Sequence, residues 1–229
     1  MQAIPSQKLV AFEAPDLLAE LPRHSRKRIN RYKKGQVICA PGSIENLSIH
    51  VIESGRVILH SVSPTGQRVG LEILGYEDVF GLEALVGPYT ILATCAESSE
   101  TLSWNVEDIQ GYRKQSSLLA TAIADEVIRR MIYFQQQIEN FAILNAPQRL
   151  AVFLNYRVAS SPKDCDGVSL IPSFTHGLMA DFVGTSREVV THFMSVFQRE
   201  GYLMYSRRGI LLSDPKGLRR FAMEAKLSK

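Results

Sequence analysis

The chain of 229 residues has a mass of 25.6 kDa; 45% of its residues are hydrophobic and 21% are charged. This composition suits a folded globule and excludes a chain that is disordered throughout. The sequence has neither an apolar run of about 18 residues, which a membrane span needs, nor the N-terminal pattern of a secretory signal. Three scattered cysteines, Cys39, Cys95 and Cys165, are too few for a disulfide scaffold and predict a reducing compartment, the cytoplasm.

The net charge of +3 is unevenly distributed along the chain. Residues 1–142 hold 14 basic and 16 acidic side chains, whereas residues 143–229 hold 12 basic and 7 acidic ones. The basic excess therefore lies in the C-terminal part, which indicates an anionic partner for that part.

The first half of the chain has the pattern of a β protein. A short helix is predicted around Asp16–Leu21, and residues 35–106 then contain short runs of β-branched and apolar residues separated by glycines. This spacing is typical of an antiparallel sandwich or barrel. Pro64-Thr65-Gly66, between two such runs, predicts a hairpin turn.

One long helix is predicted from Ser116 to Leu144, a stretch without proline or glycine. Apolar side chains recur along it at alternating spacings of four and three residues: Ala120, Ala124, Val127, Met131, Phe134, Ile138 and Phe141. This narrow stripe is typical of a paired coiled coil, so we expect two copies of the chain to pair along it. The alternative is a helix that packs only on its own domain. The predicted contact residues are Val127, Met131, Phe134, Ile138 and Phe141.

A hinge and a helix-turn-helix are predicted next. Asn145-Ala146-Pro147 ends the long helix, because proline cannot continue its hydrogen-bond ladder. Gln148–Ala159 is predicted as a helix and residues 160–168 as a polar loop. Residues 174–204 then predict a short helix, a break at Gly184 and a second helix. Thr185 is expected to cap this second helix in a capping box with Glu188.

The outward face of the second helix carries hydrogen-bonding side chains opposite its apolar face. Arginine donates to O6 and N7 of guanine and glutamate accepts from N4 of cytosine, so such a face can read base edges in the major groove. The alternative is the solvated face of an ordinary helical hairpin. The predicted DNA-binding residues of this region are Arg187, Glu188, Thr191, His192 and Ser195, with Thr175, His176 and Ser186 beside them.

A β-hairpin follows the second helix. Apolar runs over residues 202–205 and 210–212 flank Ser206-Arg207-Arg208-Gly209, which predicts a wing with Arg207 and Arg208 at its tip. Arginines there would contact phosphates and add affinity without much sequence choice. The alternative is an ordinary solvated turn.

Over about residues 30–213 the chain resembles the cyclic-AMP receptor protein / fumarate-nitrate reductase regulator (Crp–Fnr) family of bacterial transcription regulators. The resemblance implies an α+β fold: an effector-sensing β-roll domain (1–113), a dimerisation helix and hinge (114–145) and a winged helix-turn-helix DNA-binding domain (146–229). It also implies a homodimer, a palindromic operator and contact with RNA polymerase. The segments that carry it are Tyr32-Lys33-Lys34-Gly35-Gln36-Val37-Ile38, Val51-Ile52-Glu53-Ser54-Gly55-Arg56-Val57, Asp78-Val79-Phe80-Gly81, Arg149-Leu150-Ala151-Val152-Phe153-Leu154 and Val183-Gly184-Thr185-Ser186-Arg187-Glu188.

The recognition helix departs from the family at one position. Arg187 and Glu188 match the family's base-reading arginine and glutamate, but the second arginine, five positions later, is replaced by His192. Since imidazole titrates near neutral pH, the sequence predicts that operator affinity falls as pH rises through the titration of His192.

The effector site departs further. Cyclic-nucleotide members resemble one another in a Gly-Glu-Leu turn and a later Arg-Ser pair whose arginine meets the cyclic phosphate. This chain has Gly81-Leu82-Glu83 and Thr90-Ile91 at those positions, and no basic residue lies between Arg68 and Arg113. A phosphate buried without a cation is unfavourable, so cyclic AMP bound in the usual way is not expected. The alternatives are a regulator that needs no effector and one that responds to a cyclic nucleotide. The candidate pocket residues are Gly81, Leu82, Glu83, Thr90, Ile91, Phe134 and Gln135.

Other cofactors and functions are weighed on the same residues. Three cysteines cannot form a four-cysteine iron–sulfur site in one protomer, and no metal site is predicted. Haem, with His50 or His60 as ligand, and a small organic effector remain open. An enzyme is not expected, because no catalytic motif stands out. A cyclic-nucleotide module of a kinase or channel is disfavoured by the winged helix.

Overall fold

The computed structural model describes residues 16–22, 27–159, 170–171, 174–206 and 209–224. These residues divide into two compact units, which are described separately: residues up to 60 with 72–134, and residues 61–71 with those from 135 onward. The predicted loop over 160–168 lies outside the described residues, and so do Cys165, Arg207 and Arg208.

Eight strands form two four-stranded antiparallel sheets, with the orders β1-β8-β3-β6 and β2-β7-β4-β5. Glycines in the left-handed region allow the tight connections; Gly55, for example, has a φ of +84° between β3 and β4. The antiparallel strands predicted from the glycine spacing are therefore confirmed, and so is the β-roll that the family resemblance implies. The strands are β1 (Arg28–Tyr32), β2 (Val37–Cys39), β3 (Ser48–Ser54), β4 (Val57–Val62), β5 (Arg68–Leu74), β6 (Val79–Phe80), β7 (Leu92–Cys95) and β8 (Ser99–Asn105).

Local signals before and within the roll are also confirmed. The helix α1 (Leu17–Glu20) begins at Asp16, whose side chain accepts a hydrogen bond from the backbone N–H of Leu18. The turn at 64–66 is closed by Gly66, whose N–H donates to the Ser63 carbonyl at 2.9 Å. A 3-10 helix (Leu82–Leu85) follows β6.

Two helices follow the strands: α2 (Val106–Gln115) and the 27-residue α3 (Ser117–Ile143). The single long helix predicted from its unbroken sequence is confirmed. Leu119, Ala122 and Ile123 form the buried side of α3. The heptad stripe lies elsewhere on the helix surface, since Met131 and Ile138 are 61% and 69% exposed.

The second unit contains the predicted helix-turn-helix and wing. Its elements are α4 (Ala146–Ala159), β9 (Leu170–Ile171), α5 (His176–Val183), α6 (Arg187–Arg199), β10 (Leu203–Ser206), β11 (Gly209–Leu212) and α7 (Pro215–Glu224). The strands pair in the antiparallel order β10-β11-β9. Leu150 and Leu154 of α4, Met179 of α5 and Met194 and Phe197 of α6 are almost fully buried in one apolar core. The helix α7, which completes this core, was not predicted.

The junction between α3 and α4 is tightly hydrogen-bonded. Asn145 N–H donates to Gln148 Oε1 at 3.0 Å, and Gln148 N–H donates to Asn145 Oδ1 at 3.1 Å. This reciprocal pair caps the start of α4. The side chain of Gln148 is buried, and its Nε2 donates to the Ala222 carbonyl in α7 at 2.8 Å.

Candidate nucleic-acid interface and sensor site

The recognition helix α6 begins one residue later than the sequence predicts. Ser186 is the N-cap, and its hydroxyl accepts from the backbone N–H of Val189. Thr185, the predicted N-cap, instead donates its N–H to the Ala180 carbonyl at 3.2 Å and so completes the end of α5. Gly184, at φ +64°, makes this ending possible because the left-handed turn directs the next N–H back to the helix.

The predicted capping box is therefore wrong. With Ser186 as the cap, Glu188 occupies the second helical position rather than the third. The pKa of its carboxyl lies below the usual value, since its own backbone N–H and the Ser186 hydroxyl stabilise the carboxylate and Arg187 adds a positive charge. Glu188 is thus an anion at neutral pH at the surface of the first turn.

The polar face of α6 is exposed as expected, opposite the buried Val190, Met194 and Phe197. Two of its hydroxyls are engaged within the helix. Thr191 Oγ1 donates to the Arg187 carbonyl at 2.8 Å, and Ser195 Oγ donates to the Thr191 carbonyl at 3.0 Å. The residues that lie together on this face are Arg187, Glu188, Thr191, His192 and Ser195.

The predicted contacts on α5 have structural partners. Thr175 caps α5, because its hydroxyl accepts from the Leu178 N–H at 3.1 Å. His176 Nδ1 lies 2.8 Å from Thr191 Oγ1, and its Nε2 lies 3.1 Å from the hydroxyl of Tyr205 on β10. Sequence reasoning missed Tyr205; its position two residues before the predicted wing tip was the available signal.

Arg149 on α4 is a second residue that the sequence reasoning did not assign. Its guanidinium donates to the Leu144 carbonyl at 2.6 Å and to the carbonyls of Val183 and Gly184 at 2.7 and 3.3 Å. It also lies 4.9 Å above the ring of Phe141. One cation therefore caps the ends of both α3 and α5, where the helix dipoles are negative.

Phe141, predicted as a dimer contact, has partners within its own chain. A Cβ placed on Gly184 would come within 2.5 Å of the Phe141 ring, so the ring is pressed against the backbone of the turn. Phe141 remains 38% exposed.

Three of the candidate sensor residues, Gly81, Leu82 and Glu83, lie at the turn after β6. Gly81 has a φ of +85°, and a Cβ there would meet the Ser48 carbonyl at 2.7 Å, so glycine is required. Leu82 is buried, whereas Thr90 and Gln135 are exposed and Ile91 and Phe134 are partly exposed. The pocket prediction is not tested by these placements.

Glu83 is a partly buried polar residue in the 3-10 helix that follows this turn. Burial raises the pKa of its carboxyl, and the nearby Arg130 opposes this only in part. Its Oε1 is buried without a hydrogen-bond partner among the described residues. Burial thus makes this carboxyl easier to protonate than an exposed one.

Arg130 on α3 is a positively charged residue that the sequence analysis did not assign to this site. It pairs with Glu126 at 3.1 Å, lies 3.9 Å from Glu72 and donates to the Val79 carbonyl. Its position seven residues after Ile123, on the buried side of α3, was the signal for it. Arg129 also pairs with Glu126, at 3.0 Å, so two guanidiniums share the surroundings of the Glu72, Glu83 and Glu126 carboxyls.

His50, one of the two histidines left open as a haem ligand, is packed inside the roll. Its ring stacks on Phe80 at 4.8 Å and hydrogen-bonds to Thr101, and burial lowers its pKa to about 4. His60 is buried as well. Within the described part of the chain, no cluster of three or more His, Cys, Asp or Glu side chains could hold a metal ion, and no helix there is long and apolar enough to cross a membrane.

Comparison with known proteins places both units. A cyclic nucleotide-binding domain model matches residues 29–116, and a Crp-like helix-turn-helix domain model matches residues 148–221. A CRP-like cAMP-activated global transcriptional regulator of Mycobacterium tuberculosis is 22% identical over 83% of this chain and 86% of its own length. The transcriptional regulator SdrP of Thermus thermophilus is 27% identical over 83% of this chain and 92% of its own. The structure of FixK2 from Bradyrhizobium japonicum shares the fold with a TM-score of 0.76 and 18% identity, over 85% of this chain and 96% of that one.

Proposed function

Because the chain belongs to the Crp–Fnr family of transcription regulators, we propose that it binds a palindromic operator as a homodimer, with base readout by Arg187 and Glu188. The observation that carries this proposal is the exposed polar face of α6, which starts in the first turn after the Ser186 cap. A recognition helix enters the major groove with its N-terminal residues at the base edges. Regulators of this kind act on RNA polymerase in the cytoplasm, and we propose the same setting here, without enzyme activity.

Dimerisation is proposed along the stripe on α3. Val127, Met131 and Ile138 are at least half exposed, and large apolar side chains in one row favour burial against a second copy.

Phe134 lies at the centre of the stripe. Phe134→Asp would place a charge there and is expected to leave monomers in sedimentation analysis, with the far-UV circular dichroism of the wild type. A fully dimeric Phe134→Asp would contradict the proposed seam.

The sensor is proposed to respond to a signal other than cyclic AMP bound in the usual way. Arg130 is already paired with Glu126 and near Glu72, and Glu83 adds a third carboxyl beside it. A cyclic phosphate beside Arg130 would have to compete with the carboxylates that already pair with this guanidinium. We propose a neutral organic effector or none; a haem or iron–sulfur cofactor forms no part of the proposal. A cyclic-nucleotide response is the second candidate, favoured by the domain model over residues 29–116.

Genomic footprinting with the purified protein tests the function directly. The expected result is protection of palindromic sites whose half-sites lie about one helical turn apart.

Arg187→Ala is expected to weaken binding to the recovered half-site by about 1–3 kcal/mol and to blur its sequence preference. An exposed residue on the opposite end of α6, in the variant Arg199→Ala, is the matched control. Protection unchanged by Arg187→Ala would contradict the assigned readout.

A further inference from the structure

The contacts of Thr191 fix the direction of each hydrogen bond beside the recognition helix. Its hydroxyl has one proton, and the Arg187 carbonyl, 2.8 Å away, can only accept. The Thr191 oxygen therefore accepts from His176 Nδ1 at 2.8 Å, so the imidazole proton of the neutral ring lies on Nδ1. His176 Nε2 then faces the Tyr205 hydroxyl at 3.1 Å. We call these three side chains, His176, Thr191 and Tyr205, the histidine bridge.

The charge of the ring decides where the phenol proton of Tyr205 points. In the neutral ring Nε2 is an acceptor, so Tyr205 donates to it and presents only oxygen lone pairs to solvent. In the charged ring Nε2 donates to the Tyr205 oxygen instead. The phenol proton is then available for an outside acceptor, and the imidazolium adds a positive charge behind it.

We propose that Tyr205 donates a hydrogen bond to a backbone phosphate of bound duplex DNA and that His176 takes up a proton from solvent as this contact forms. The inference rests on the proposed function and adds a phosphate-binding residue to it. Tyr205 is 46% exposed, and the bridge joins it to the helix that carries Arg187. A phosphate favours the charged bridge for two reasons. It accepts the hydrogen bond that the Tyr205 hydroxyl can then donate, and its negative charge attracts the imidazolium.

The surrounding groups are compatible with this exchange. The helix α5 packs against α6, which carries Arg187, Glu188 and His192, and against α4, whose Arg157 lies over the ring of Phe174. The positively charged side chains disfavour the charged form of His176, whereas Glu188 and an incoming phosphate favour this form. Burial raises the pKa of the Tyr205 hydroxyl, so the phenol keeps its proton throughout the range in which imidazole titrates.

The test measures affinity for a random-sequence duplex of about 20–30 base pairs, since phosphate contacts do not depend on sequence. At fixed low salt, the wild type is expected to bind roughly fivefold or more tightly at pH 6 than at pH 8. Tyr205→Phe and Thr191→Val are expected to lose most of this ratio, and so is His176→Gln. Tyr112→Phe alters a tyrosine of similar exposure (40%) on α2, outside the bridge, so it is the matched control and is expected to retain the ratio.

Calorimetry of the same binding in two buffers of different ionisation enthalpy gives the proton count. Net uptake by the wild type that is absent in Tyr205→Phe supports the bridge. A pH ratio that persists in Tyr205→Phe, or that is lost equally in Tyr112→Phe, overturns this inference but leaves DNA binding intact. Failure of the wild type to bind any duplex overturns both this inference and the proposed function. Amide exchange of α6 in each variant checks that the helix is folded.

Discussion

The titratable side chains of the β-roll and of the winged helix differ in what surrounds them. In the roll, burial lowers the pKa of His50 to about 4 and raises those of Cys39 and Tyr89 to about 12. On the winged helix, Arg187 and Glu188 are exposed, and local hydrogen bonds hold Glu188 in its charged form. Desolvation thus keeps the interior of the roll neutral, whereas the recognition helix presents charge. The comparison teaches that polar residues of similar type are packed in the interior of one unit and exposed at the surface of the other.

The largest effect is expected from adding a side chain to the turn between β3 and β4. In Gly55→Ala the new Cβ would meet the Ser98 carbonyl at 2.5 Å, at a φ of +84°. Steric overlap and backbone strain together should lower the free energy of unfolding of the roll by about 3 kcal/mol or more. Fluorescence of Trp104, the chain's single tryptophan, in a denaturant titration measures this.

Gly42→Ala is the matched control for that change. Gly42 has a similar φ of +81°, but nothing lies within 4 Å of a Cβ there, so only the strain of about 1 kcal/mol remains. Equal losses in the two variants would show that the close approach of Ser98 to Gly55 contributes nothing.

A smaller effect is expected on acidification. The pKa of His50 is about 4 in the folded roll and about 6.5 unfolded, so its contribution to stability is complete above pH 6.5 and is lost as pH falls toward 4. Between pH 8 and pH 5 the loss should be about 2 kcal/mol. Trp104 fluorescence in denaturant at the two pH values measures it. His50→Leu cannot titrate, so an equal acid loss in that variant would contradict the assignment.

The smallest effect is expected from a thiol reagent. The thiol of Cys39 is buried with a pKa of about 12, so almost no thiolate is present at pH 8. Iodoacetamide is expected to leave DNA affinity unchanged and to label Cys39 only as fast as the roll opens. Peptide mass spectrometry in native buffer and in urea follows the labelling. Rapid native labelling would show that the interior of the roll is not closed as described.

The spacing of apolar residues predicted those helices and strands whose pattern depends only on their own secondary structure. The unbroken stretch from 116 to 144 could only be a long helix, and the alternation of apolar and polar residues after Ser186 set the two faces of α6. The spacing of glycines similarly predicted the short antiparallel strands of the first half of the chain. These features depend on neighbours along the chain, so a single sequence is enough to find them.

Features that depend on a partner element were not predictable in the same way. The cap of α6 shifted to Ser186 because the left-handed Gly184 assigns Thr185 to the preceding helix. The partners of Arg130 and Arg149 are backbone carbonyls and carboxylates distant in sequence. Tyr205 acquires its role from a histidine 29 residues earlier. Side-chain type suggested none of these pairings.

The bond from Gln148 to Ala222 has a consequence for synthesis of the protein. It links residues 74 positions apart, so the first helix of the winged unit receives this buried partner only after α7 has been synthesised. Until then the amide of Gln148 and the apolar side of α4 have no cover from α7. A ribosome-bound chain that stops before Pro215 should therefore be cut by protease within the winged unit, while its completed β-roll resists.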